Sequence, residues 1–183
     1  MGDGSVFYCK DIRGKEHYGI TFYPDDLAMA NYFAKCFEEV YGIKLKIFKL
    51  KNHYKTYIKN KIIYNDLISI ASFGSLEWTV PTRFLKSNDM KREFLKAFFD
   101  CEAYVWEKAI QLQSVNKKGL EGIKKILGEF DIASKIYEYE RKNKNWNKNY
   151  ILCIMRKEER DKYLKNIGFN HSLKMKKLNA GDA

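Results

Sequence analysis

Phe94-Leu95-Lys96-Ala97-Phe98-Phe99-Asp100-Cys101-Glu102-Ala103 decides the reading of this chain, with an echo at Gly2-Asp3-Gly4-Ser5-Val6. In the longer stretch an apolar run at helical spacing ends on acidic residues, and a strand-like segment begins at once. Glu102-Ala103-Tyr104-Val105 and Asp3-Gly4-Ser5-Val6 share one pattern: an acid, a small residue, any residue, valine. A carboxylate at the end of a packed helix is well placed to hold a divalent cation. One from each of two repeats would assemble a phosphodiester-cleaving centre. The first copy is expected to lack its helix, because Met1 stands directly before its last positions.

The rest of the chain sets the frame for that centre. Its 183 residues allow one or two small domains with a real core, and 45% hydrophobic content marks a folded protein. Lysine and arginine number 34 against 23 acids, a formal net charge of +11. That excess favours a polyanion, nucleic acid first and an anionic membrane surface second. The plain alternative is lysine covering solvated faces. Cys9, Cys36, Cys101 and Cys153 are scattered with no C-x-x-C pair, so neither a zinc site nor a disulfide framework is indicated. A reduced, intracellular (cytoplasmic) setting is the expectation. The apolar runs are too short to span a bilayer, and Gly2-Asp3-Gly4 after Met1 is not a secretory leader. His17, His53 and His171 stand apart from one another. No glycine-rich phosphate loop and no Ser-His-Asp arrangement can be read.

Periodicity gives the element order. Ser5–Cys9 and Tyr18–Phe22 read as strands, and Asp25 or Asp26 caps a helix that runs to about Tyr41 and ends at Gly42. Lys44–Lys49 alternates lysine with Leu45 and Ile47. Thr56–Tyr64 reads as a strand and Asp66–Phe73 as a short helix closed by Gly74. Ser75–Ser87, with Trp78 and Pro81, reads as a connector. Asn88 or Asp89 then caps a helix reaching about Asp100. A hairpin (Tyr104–Trp106, Ala109–Val115), a helix (Lys117–Phe130), two strands (Ser134–Arg141, Tyr150–Met155) and a helix closed by Gly168 follow, then a basic tail. The order strand, strand, helix, strand, strand, helix is written twice. Gly42-Ile43 matches Asp131-Ile132, and Phe73-Gly74 matches Ile167-Gly168, so duplication explains the chain better than chance similarity.

These residues resemble the LAGLIDADG homing endonucleases in their single-chain, two-repeat form. Leu95 to Ala103 lies on the nine-residue family motif position by position, and Gly2-Asp3-Gly4 on the last three positions of the first copy. Val80-Pro81-Thr82-Arg83-Phe84-Leu85-Lys86-Ser87 is similar to the usual lead-in to the second motif helix. Glu102 and Ala103 stand where the family usually has aspartate and glycine. The resemblance implies an α+β fold of two pseudo-symmetric repeats, each a curved antiparallel sheet backed by helices. It places the first repeat, without its motif helix, at residues 1–74, a connector at 75–88, and the second repeat with its basic tail at 89–183. It implies site-specific cleavage of double-stranded DNA, with Asp3 and Glu102 holding Mg²⁺ (or Mn²⁺). A decayed DNA-binding relative and an RNA intron splicing cofactor of the same fold are the alternatives, in a gene that is free-standing or within an intron or intein.

The strands carry the expected DNA contacts. Ile110 and Leu112 are expected to face the helices, which turns Gln111 and Gln113 outward, and glutamine pairs with adenine bidentately in the major groove. Ile136 in the core sends Lys135, Tyr137, Tyr139 and Arg141 outward. Lys44 and Lys46 take the matching face of the first repeat. The Lys142–Asn149 loop and Lys174–Lys177 are candidates for phosphate contacts. Finally, Leu95, Ala97, Phe98 and Phe99 form a helix face whose partner helix is expected to be missing. Leaving it wet would forgo roughly 1.5–3 kcal/mol for each large side chain. A homodimer across the Phe94–Asp100 helix is the expected cover.

Overall fold

A computed structural model describes residues 4–139 and 147–179. Asp3 and Arg141 lie outside the described residues, as does most of the Lys142–Asn149 loop. The chain divides into two compact units, Met1–Phe73 and Gly74–Ala183. Among the described residues there are two four-stranded antiparallel sheets and six helices, an α+β architecture.

The first unit runs β1 (Gly4–Lys10), β2 (Glu16–Phe22), α1 (Leu27–Tyr41), β3 (Phe48–Lys49), β4 (Tyr54–Lys59) and α2 (Lys61–Ile70), with sheet order β1-β2-β4-β3. The β1–β2 turn is closed by Asp11, whose Oδ1 accepts from Arg13 N (2.9 Å) and Lys15 N (3.0 Å). Asp26 caps α1 by accepting from Ala28 N at 2.6 Å, and Gly42 ends it at φ 67°. Ile20, Phe37 and Ile63 form the buried centre, with Val6, Phe33, Ile43, Leu45 and Ile58 packed around them. One expectation is overturned. The strand read as Thr56–Tyr64 stops at Lys59, because the Asn60 carboxamide accepts from Ile62 N (2.9 Å) and Ile63 N (3.1 Å) and starts α2 there. The helix expected to begin at Asp66 therefore begins at Lys61.

The second unit runs α3 (Asn88–Glu102), β5 (Ala103–Trp106), β6 (Ala109–Ser114), α4 (Lys117–Glu129), β7 (Lys135–Tyr139), β8 (Asn149–Ile154), α5 (Lys157–Asn166) and α6 (Ser172–Asn179), with sheet order β5-β6-β8-β7. The strand–helix order is that of the first unit, with α3 added before it and α6 after it. Ser87, rather than Asn88 or Asp89, caps α3, accepting from Met90 N at 3.2 Å. Leu120, Ile123, Ile126 and Leu127 of α4 are buried, as are Ile110, Leu112, Leu152 and Ile154 of the sheet.

The segment before α3 is packed onto this unit. Trp78 is buried, donates from Nε1 to Ser114 Oγ (3.2 Å), and accepts at its carbonyl from Asn116 Nδ2 (2.6 Å). Its ring lies so close to α4 that a Cβ on Gly119 would sit 2.5 Å from it, and a Cβ on Gly122 would meet Val80 at 2.9 Å. The two glycines cut a notch into α4 that the segment fills.

Candidate nucleic-acid interface and metal site

The C-terminal end of α3 is held from two directions. Asp100 is buried, and its carboxylate accepts from Asn170 N and His171 N at 3.0 Å each. His171 O in turn accepts from Lys174 N and Met175 N, which starts α6. Lys174 reaches back and donates from Nζ to Phe99 O (3.1 Å), which also accepts from Ala103 N, and to Asp100 O (2.5 Å), a carbonyl of the last turn of α3. Burial pushes the Asp100 carboxyl above the usual carboxylate range, opposed by the two N–H groups and by Lys174. The basic tail is thus corrected: Lys174–Lys177 belongs to a helix, and Lys174 is engaged on α3 rather than facing phosphate. Lys176 and Lys177 are exposed.

Glu102 is the last residue of α3 and is exposed. Ala103, the first strand residue, pairs with Leu112, and Glu102 and Gln113 are the next residues of the two segments. Both line one small pocket, with Ser114 at its side and Trp78, Phe98, Leu112 and Leu120 around it. The donors there are all oxygen: a carboxylate, a carboxamide and a hydroxyl, the last already accepting from Trp78 Nε1 and Asn116 N (3.1 Å). That chemistry fits a hard, hydrated cation such as Mg²⁺, which keeps several waters and binds through one or two carboxylates and substrate phosphate. Among the described residues no three His, Cys, Asp or Glu side chains cluster to cage a metal.

The sheet that follows Glu102 brings the expected contacts of the second repeat onto one surface. Directly opposed residues share a face, so Tyr104, Gln111, Cys153 and Lys135 form one row across β5, β6, β8 and β7. Gln113, Ile151 and Tyr137 form the next, and Tyr139 lies opposite Asn149. Ile110 and Leu112 occupy the other face and are buried. Cys153 is buried in its row, which pushes its thiol up, while a hydrogen bond with Gln111 works the other way.

The first sheet is different from the expectation. Lys44 and Lys46 are exposed and alternate with half-buried Leu45 and Ile47, but residues 43–47 precede β3 and pair with no strand. The outward face of this sheet is built instead from rows that sequence reasoning missed: Ser5, Thr21 and Tyr57, then Phe7, Gly19 and Lys59. A Cβ on Gly19 would fall inside the Phe7 ring, which explains the glycine. Lys55 Nζ sits 5.4 Å from the Tyr23 ring centroid and 5.2 Å from that of Tyr57. The signal was present as Lys55, Tyr57 and Lys59 at period two.

Residues 89–168, the stretch of the second unit from α3 through α5, match the LAGLIDADG-like domain family. These residues form a LAGLIDADG-like domain. A replication factor C small subunit of Methanocaldococcus jannaschii is 30% identical over 97% of this chain, and a probable translation initiation factor IF-2 of that organism is 29% identical over 75%. The chain spans only 9% and 13% of those curated relatives. Among solved structures, the homing endonuclease I-DmoI in complex with DNA and Mn superposes with a TM-score of 0.71 at 16% identity, covering 91% of this chain and 90% of that one. The N-terminal LAGLIDADG domain of DUF199/WhiA superposes at 0.55 and 13% identity, covering 89% and 75%. These likenesses establish the two-repeat LAGLIDADG fold.

The LAGLIDADG helix α3 corrects the expected helix face. Leu95, Phe98 and Phe99 are buried within their own unit, Phe98 against Trp78 (ring centroids 5.2 Å apart) and Phe99 against Tyr163 (5.0 Å). They are core, not a wet interface. Ala97 alone of the four is exposed, on a stripe with exposed Met90 and half-buried Phe94 and Cys101. The area argument for a homodimer therefore loses its three largest side chains. No described helix is long and apolar enough to cross a membrane.

Proposed function

We propose that this chain binds double-stranded DNA through the outward faces of its sheets and cleaves it with Mg²⁺ or Mn²⁺ held at Glu102, with Asp3 as the second carboxylate. The observation that carries the reading is adjacency. Glu102 ends the motif helix, and the next residue opens a sheet whose outward rows offer Gln111, Gln113, Lys135, Tyr137 and Tyr139. A reactive carboxylate beside a polar, basic reading surface suits a nuclease that joins recognition to cutting. Gln113, which lines the same pocket as Glu102, is the neighbour that would serve the cation's waters. When bound, the cation supplies Lewis acidity at phosphate oxygens; Glu102 holds it, and the α6 contacts fix the helix end that carries Glu102.

We take residues 1–74 and 89–183 as the repeats joined by 75–88. Similar segments make up about a tenth of proteins with unrelated names: a replication factor, an initiation factor and an aminotransferase. That distribution supports an inserted, intein-like segment whose work is independent of its host. A second reading is a binding module without cleavage, since the outward rows of the second sheet would meet DNA whether or not Glu102 holds a cation.

The test is nicking of supercoiled plasmid at low salt with Mg²⁺ or Mn²⁺. Metal-dependent nicking by the chain, lost in Glu102→Gln with duplex binding retained, supports the enzyme. Duplex binding with no metal-dependent nicking selects the binding module. Full nicking by Glu102→Gln rejects the site.

A further inference from the structure

The outward face of the second sheet carries more exposed aromatic surface than reading the edges of stacked base pairs requires. Tyr104 and Trp106 of β5 are 60% and 46% exposed, and their rings lie edge to face with centroids 5.9 Å apart. Tyr137 and Tyr139 of β7 are exposed on the same face. Tyr104 stands in the row of Gln111 and Lys135, and Lys177 of α6 brings its ammonium to 6.0 Å from the Tyr104 ring. In a closed duplex only base edges reach the grooves, so an aromatic ring has no base face to cover. Rings stack on bases that have left the helical stack, and a neighbouring cation takes the phosphate. The first sheet is less open to this use, because Phe48 and Tyr57 stack on each other (5.9 Å) and Lys55 covers Tyr57 and Tyr23.

We infer that Tyr104 and Trp106 form a stacking platform for unpaired bases, so that this face prefers DNA containing an unpaired stretch to fully paired DNA. The inference rests on the DNA-binding reading above and narrows its substrate. An unstacked base lies on Trp106 or Tyr104, its edge within reach of the Gln111 carboxamide, and its phosphate beside Lys177. The net charge of +11 and the lysines flanking the rings supply the complementary field for a nucleic acid strand.

Fluorescence anisotropy on the whole chain tests it, with one labelled duplex and the same duplex carrying a short unpaired bulge. The bulged duplex is expected to bind about tenfold tighter. Trp106→Ala should weaken the bulged complex by about tenfold, within the range measured for base–aromatic stacking, and leave the paired duplex unchanged. Trp106→Tyr should keep most of the preference, and Tyr104→Ala should repeat the loss on the bulged substrate. Equal affinity for the two duplexes, or an equal loss on both in Trp106→Ala, overturns the platform while duplex binding stands. No binding to either duplex at low salt overturns this inference and the DNA-binding reading together.

Discussion

Replacing Lys174 by methionine separates an anchored helix from a solvated tail. Methionine keeps most of the apolar stem, so the change removes the ammonium and its two bonds to Phe99 O (3.1 Å) and Asp100 O (2.5 Å). A hydrogen bond involving a charged group contributes about 1.5–3 kcal/mol when well buried. Lys174 is half-buried, so water replaces part of what is lost. The favourable charge at the α3 C-terminus, about 0.3–1 kcal/mol, goes with it. The buried Asp100 also loses a cation that favours its ionised form. The net expectation is about 1–3 kcal/mol of destabilisation, or roughly 4–12 °C in Tm at the low end of the usual sensitivity of small domains. Urea unfolding followed by far-UV circular dichroism reads it, with Lys176→Met and Lys177→Met as controls expected within about 0.5 kcal/mol of the parent. If Lys174→Met matches those controls, α6 is not locked to α3 and the account of the helix end is wrong.

Gly119→Ala should destabilise by about 1–3 kcal/mol despite its better helix propensity, because the new methyl drives into the Trp78 ring; a thermal melt at or above the parent's Tm would contradict that. Leu95→Ala should cost about 2–5 kcal/mol as a core truncation, and Ala97→Glu less than about 0.5 kcal/mol, so denaturant midpoints that rank them the other way would restore the discarded helix face. Asp100 gives a pH signature. Its folded-state pKa is raised, so the folded state holds that proton more tightly than the unfolded chain does. Its contribution is complete below about 3.8 and is lost as pH rises through the folded-state value. The stability of the parent relative to Asp100→Asn should therefore fall across that window; a rise there, in paired urea titrations, refutes the assignment.

Much of the fold was legible because local rules and tertiary packing agree. The period-two runs at Tyr18–Phe22 and Ala109–Ser114 and the glycine stop at Gly42 needed no long-range information. The start of α2 was hidden because Ile62 and Ile63 carry β-branched preference while Asn60 alone supplies the cap. The helix face was misassigned because Leu95, Phe98 and Phe99 look alike as interface or core, and only Trp78 and Tyr163 arriving from elsewhere in the chain decide it. At the site, the alternation in β6 and β7 gave the outward residues, but that Glu102 and Gln113 line one pocket is a tertiary fact. The inward turn of Lys174 depends on α6 meeting α3, which no local pattern encodes.

The central claim is that the outward sheet faces meet duplex DNA, and the salt dependence of binding tests it most directly. Filter binding of a duplex by the parent should give an affinity that falls steeply and log-linearly with salt. Replacing Lys55, Lys59 and Lys135 with glutamine should weaken binding at low salt and make that slope shallower by about one for each lysine that neutralises a phosphate. A triple variant with the parent's affinity and the parent's slope would show that DNA, if bound, is bound somewhere else.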